Sequence, residues 1–241
     1  MRRIFFSALI VSLGFTAWTQ NDTTKTERVL SPMKLPAKDH FVIQLGAAMW
    51  QNKPDSIQTK SLSRTFNIYL MLDFPFKTNP HFSVAIGPGI ATDHVFLDKR
   101  TASIIGTATN IAFRNVADTN HFKKYKVSTA FLEAPVELRF SSKPDADAGS
   151  VKLAVGVKLG TMLSAWTKGK TLQNKSDNVI NDYIAKEKSK RYFNTTRLSV
   201  TGRIGYGHFS AFGSYALTSV FKEGVGPKMN VLSIGLTLSG L

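Results

Sequence analysis

From Ala130 the chain alternates with a period of two. Ala130, Leu132, Ala134, Val136, Leu138 and Phe140 take the even positions, and Glu133, Glu137 and Arg139 stand among the odd ones. A polar turn, Lys143-Pro144-Asp145-Ala146-Asp147-Ala148-Gly149, interrupts the pattern. It resumes with Val151, Leu153, Val155, Val157, Leu159 and Leu163 against Lys152, Ala154, Gly156, Lys158, Gly160 and Ser164. Two alternating runs about a turn predict a long β-hairpin over 129–165. Six further runs read the same way, at 40–50, 65–74, 81–96, 195–206, 209–221 and 230–241. Pro88 lies inside the third strand, where a missing N–H predicts a bulge or bend.

Eight strands, an even number, suit a closed antiparallel ring, and their connections are sorted by length. Those after the first, third and fifth strands (51–64, 98–123 and 166–194) are long, whereas Lys77-Thr78-Asn79-Pro80, the 143–149 turn and Gly207-His208 are tight. Short turns at one end and long loops at the other are the mark of an outer-membrane barrel. Within the long connections, Ile104-Ile105 and Ile111-Phe113 are expected to prolong strands. Val179, Ile180, Tyr183 and Ile184 are expected to form one short amphipathic helix.

Alternation alone does not say which face is buried. In a soluble barrel the aliphatic face would form the core; in a membrane barrel it would face lipid, with the charges inside. An export signal favours the second reading. Arg2 and Arg3 precede an apolar run over 4–15 and the small-x-small site Ala17-Trp18-Thr19. That run is shorter than the roughly 20 residues of a spanning helix, so 1–19 reads as a removable signal peptide. Residues 20–39, with Pro32 and Pro36 and no periodicity, read as a flexible periplasmic lead-in, and 40–241 as the barrel.

Aromatic residues gather at the strand ends. Phe41, Phe74, Phe76, Phe82, Phe140, Tyr206 and Phe209 lie near the tight turns, and Trp50, Phe66, Phe96, Trp166, Tyr192 and Phe221 near the long loops, as interfacial girdles would. Trp50 and Trp166 have inward parity, which leaves open a role as a plug of the mouth. The expected fold is therefore all-β, an eight-stranded antiparallel up-and-down transmembrane β-barrel of the Gram-negative outer membrane.

Such a barrel is just wide enough for its own side chains to fill. Its inward charges are Asp73, Asp93, Glu133, Glu137, Arg139, Lys152, Lys158, Arg197 and Arg203. Buried and unpaired they would be very costly, so a salt-bridged network is expected, with Glu133 and Glu137 as acceptors and Arg139, Arg197 and Arg203 as donors. The third long loop is basic, with Lys168, Lys170, Lys175, Lys186, Lys188, Lys190 and Arg191. The whole chain of 241 residues carries a formal charge of +15. In an exported protein this points to phosphate-bearing membrane lipid and lipopolysaccharide, and to other envelope proteins, as partners rather than to nucleic acid.

Cysteine is absent, which excludes disulfides, thiolate metal sites and a cysteine nucleophile. The five histidines, His40, His81, His94, His121 and His208, show no paired ligand spacing, so neither a metal nor a cofactor is expected. Gly169-Lys170-Thr171 lacks the earlier glycine of a phosphate-binding loop. Two histidine arrangements bear on catalysis, the His-x-Ser run His208-Phe209-Ser210 and His94 beside Asp93, for which Ser103 is the nearest serine in sequence.

With its signal peptide, alternating strands and the ending Ser233-Ile234-Gly235-Leu236-Thr237-Leu238-Ser239-Gly240-Leu241, the chain resembles PorT-like outer-membrane β-barrel proteins. Ala130-Phe131-Leu132-Glu133-Ala134-Pro135-Val136-Glu137-Leu138 is similar to their leucine-acid-x-proline-apolar strand, although Leu241 stands where an aromatic often ends them. The resemblance implies an integral outer-membrane protein and, for some members, a part in protein secretion. The expected function is a non-enzymatic envelope interaction or accessory protein with a closed lumen. The alternatives are a narrow channel, a lipid-A-modifying barrel enzyme and a soluble ligand-binding barrel.

Overall fold

The computed structural model describes residues 41–60, 63–144 and 149–240. The export signal and the lead-in expected from the sequence both lie outside them. The described residues form β1 (Phe41–Gln51), β2 (Arg64–Leu70), β3 (Leu72–Pro75), β4 (Phe82–Ile86), β5 (Gly89–Leu97), β6 (Arg100–Ala102) and β7 (Phe113–Asn115). These are followed by β8 (His121–Ser141), β9 (Val151–Gln173), β10 (Val179–Lys188), β11 (Thr196–Tyr206), β12 (Phe209–Ala216) and β13 (Asn230–Ser239).

Every pairing between strands is antiparallel. β2 and β3 act as one strand interrupted at Met71, because β2 pairs with β5 and β3 with β4. β4 and β5 are likewise one strand, both laid along β8 and interrupted at Gly87-Pro88. The break falls where the sequence placed it: Pro88 has no N–H to give, and its carbonyl accepts the Leu70 N–H at 2.9 Å. Counted so, eight strands bond in chain order. β13 then pairs with β1, from Val42↔Ser239 to Gln51↔Asn230, and closes a ring.

Polarity is inverted around this ring. Leu45, Leu70, Val155, Leu159, Ile204 and Leu236 are exposed, whereas Gln44, Asn67, Asp93, Glu133, Glu137, Lys158 and Arg203 are buried. The tight-turn end carries an exposed aromatic rim of Phe74, Phe76, Phe82, Tyr206 and Phe209.

The long-loop end differs from expectation in three ways. First, the segment read as a short helix is strand β10, which pairs with β9 from Val179↔Gln173 to Lys188↔Trp166. Val179, Ile180 and Ile184 are β-branched and favour a strand, and β9 runs on past its pairing with Thr196, the first residue of β11, to offer a free edge. β8, β9 and β10 thus extend the ring by a three-stranded sheet.

Second, a bulge reverses the parity of β9. Ala130 pairs with Ser164 but Phe131 with Met162, so Leu163 is an extra residue. Met162, Ala165 and Thr167 are consequently buried in turn, and Trp166, expected to point inward, lies on the outer side.

Third, half of the expected upper girdle is a core. Trp50, Tyr192 and Phe221 are buried with Ile57, Leu97, Ile104, Ile111, Phe193 and Met229. Each of the four long connections contributes to this cluster, including the one between β12 and β13. Ile104 and Ile111 pack into it rather than prolong strands. On either side of this pair in the chain, β6 and β7 come together as a separate two-stranded sheet. Tyr192 fastens the cap, its hydroxyl near the carbonyls of Ala108 at 2.8 Å and Gly106 at 3.0 Å.

Candidate functional site

Inside the ring, below the apolar cap, the strands bring together charged residues that the sequence scatters. Arg197 on β11 is the centre of the upper layer. Its Nη1 donates to Asp93 Oδ2 on β5 at 2.5 Å, and Nε and Nη2 donate to Glu133 Oε1 on β8 at 2.8 and 2.6 Å. Its guanidinium also lies 4.0 Å from the centre of the Phe131 ring. Tyr69 donates to the other Glu133 oxygen at 2.6 Å. Lys158 Nζ reaches Gln44 Oε1 and the Tyr69 hydroxyl, both at 3.3 Å.

The lower layer is centred on Glu137. Its Oε2 accepts from Arg203 Nη2 at 2.7 Å and from Arg139 Nε at 3.1 Å. Arg139 also faces Asp73 at 3.7 Å, close enough for an ion pair. Lys152 is half-buried at the tight-turn end, in register with Ser141 and Gly205.

Local sequence makes room for the two glutamates. Glu133 and Glu137 stand across from Gly160 and Gly156 on β9. A Cβ at Gly160 would lie 2.9 Å from Glu133 Cγ, and one at Gly156 would lie 2.2 Å from the Val136 carbonyl oxygen. Two cavities that border Arg197 hold about 20 Å³ each, room for little more than one water apiece.

The basic residues of the third long connection separate into groups. Lys168 and Lys170 are on β9, Lys186 and Lys188 on β10, and Lys175 in the turn between them. Lys190 instead donates to the Met162 carbonyl at 2.9 Å, and Arg191 to those of Gly106 and Thr107 at 3.0 and 3.2 Å. Lys124 and Lys126 on β8 join the first group, in register with Lys170 and Lys168. Sequence reading missed them by ending the loop at 123. The signal was present in Lys124-Tyr125-Lys126-Val127, where period-two alternation already runs.

The tip of the β9–β10 hairpin is tied down by Asp177, which pairs with His121 at 2.9 Å and Lys99 at 3.3 Å. The hydrogen bonds from His121 and then Lys99 hold the Asp177 carboxyl below its ordinary range. A depressed carboxylate lends its contribution above the unfolded value and loses it as pH falls through the folded one. Asp177→Asn is therefore expected to speed amide exchange in residues 174–178 at pH 6. The difference from the parent should vanish once the pH is below the depressed value.

The serine–histidine arrangements do not assemble a triad. His208 Nδ1 lies 3.0 Å from the Ser239 carbonyl, and Ser210 is buried inside the ring. His94 Nδ1 lies 2.9 Å from Ser128 Oγ on the outer wall, but Asp93 points inward to Arg197. Among the described residues no three His, Cys, Asp or Glu side chains are grouped as a metal site would require.

A family model described as outer membrane protein beta-barrel domain matches residues 33–222. No curated protein sequence matches the chain. Among solved structures the chain is similar to Ail, the attachment invasion locus protein of Yersinia pestis. The match has 12% identity and a TM-score of 0.36, and covers 85% of this chain and 99% of that one.

Proposed function

We propose, since the chain belongs to the outer membrane protein β-barrel domain family, that the ring is an eight-stranded up-and-down barrel crossing the outer membrane with a sealed lumen. It acts without catalysis, as an envelope interaction or accessory protein. The observation that carries this reading is the double seal: the apolar cap of Trp50, Tyr192, Phe193 and Phe221 sits above the Arg197 and Glu137 ion-pair layers.

A pore would need a continuous wet path. Here nearly every inward charge is engaged with another side chain, which suits a filled eight-stranded barrel. Function then falls to the surfaces the barrel presents: the projecting β8–β10 sheet, the loops and the outer wall. The partners in this reading are outer-membrane lipid, lipopolysaccharide and other envelope proteins. A secretion-related task fits the PorT-like strand pattern around Glu133 and Pro135.

The test has two arms. The protein is expected in the outer-membrane fraction after alkaline extraction, with a gel mobility that changes on boiling. Reconstituted in planar bilayers it is expected to leave conductance at baseline; steady single-channel steps would replace the sealed barrel with a channel.

A further inference from the structure

We propose that the outward face of β8, β9 and β10 at the long-loop end is a docking surface for the phosphate groups of outer-leaflet lipid headgroups. This rests on the membrane-spanning reading above and goes further, by naming the residues and the chemistry they take.

The first observation is register. Lys126 on β8 is paired with Lys168 on β9, and Lys168 with Lys186 on β10. Lys124 is paired with Lys170. On the row beneath, Arg64, His94, Ser128, Trp166 and Lys188 follow one another across β2, β5, β8, β9 and β10. Like charges directly opposite on a sheet repel. Burial, then Lys168 and Arg64, push the Lys126 ammonium below its ordinary value.

Second, among the described residues no acid answers them. Glu187 turns the other way, accepting from the Ile104 N–H at 2.9 Å, and Asp182 accepts from the Thr171 hydroxyl at 2.5 Å. Asp177 is held by His121 and Lys99. Among the described residues, Lys124, Lys126, Lys168, Lys170 and Lys186 have no salt bridge. Anions from outside must neutralise such a row.

Third, the row stands at the right height. The outward apolar run on β8 extends from Phe140 to Ala130, about 34 Å of strand, or about 26 Å of height at a tilt of about 40°, close to the apolar band of such barrels. Ser128 and Lys126 follow about 5 and 10 Å higher, where hydrocarbon gives way to headgroups. Aromatic rings mark the same level. Lys126 Nζ lies 5.7 Å from the Phe96 ring centre, and Lys186 Nζ 5.6 Å from that of Trp166. Phosphorylated headgroups are the anions found at that depth.

The full chain, folded and shown to be inserted in phosphatidylcholine nanodiscs, would be titrated with fluorescent bisphosphorylated lipid A and with its dephosphorylated counterpart. The parent is expected to prefer the phosphorylated form by about tenfold or more. Lys126→Gln with Lys168→Gln and Lys186→Gln should abolish the preference. Lys77→Gln with Lys143→Gln, at the opposite end, should keep it. Equal retention of both lipids by inserted parent protein, or a preference surviving the triple change, would overturn the docking surface and leave the barrel reading standing. Failure to insert into any bilayer would overturn both.

Discussion

Arg197→Met is expected to lower the stability of the folded protein by about 3–5 kcal/mol, read as an earlier urea midpoint in lipid vesicles. The side chain is buried and donates three hydrogen bonds to two carboxylates. Removing it breaks the ion pairs of both Asp93 and Glu133 and leaves Glu133 the hydrogen bond from the Tyr69 hydroxyl. The loss arises chiefly from the stranded acids, so neutralising them should restore most of it. Arg197→Met combined with Asp93→Asn and Glu133→Gln is expected to unfold near the parent midpoint. Should the single variant match the parent, the layer is not an energetic keystone and the seal must reside in the apolar cap.

The second large effect belongs to the opposite face. Val155 is 61% exposed and Leu236 67% exposed, both on the outward apolar face of the ring. Were they in water, arginine at either site would change stability by no more than about 0.5 kcal/mol. In hydrocarbon it costs about 2–4 kcal/mol near the midplane and less toward either interface. Val155→Arg and Leu236→Arg are expected to show the larger cost in vesicles, whereas arginine at Ile105, exposed on a long loop, should be nearly silent. A neutral result at both strand positions would remove the lipid from around the ring.

What the sequence disclosed and what it concealed divide along periodicity. On β11, Leu198, Val200 and Ile204 against Arg197, Ser199 and Arg203 stated their faces plainly, because each pair of neighbours repeats the same contrast. The acids and bases destined for one interior could be named, since parity alone sends them there. Their pairings could not: Arg197 joins Glu133 across 64 positions of chain and Asp93 across 104. Such partners are chosen by the stagger of strands, which the pattern leaves free.

The apolar cap was hidden for another reason. Ile57, Ile104, Ile111, Tyr192, Phe193 and Phe221 come from four polar connections at irregular spacings, which leave no period to detect. β10 was misread because a short run of Val179, Ile180, Tyr183 and Ile184 satisfies helical spacing as well as an irregular edge strand with two register shifts.

Leu163 has an effect beyond its own position. One supernumerary residue makes a single strand legible in two opposed phases, so the same odd-even code assigns oil to the outside below it and cations above it. Were Leu163 taken into the regular ladder instead of bulging out, the upper half would carry on the parity of the lower. Trp166, Lys168 and Lys170 would then rotate toward Tyr125, Val127 and the dry interior, while Ala165 and Thr167 turned out. The anion-facing wall is in this sense written by an insertion as much as by its lysines.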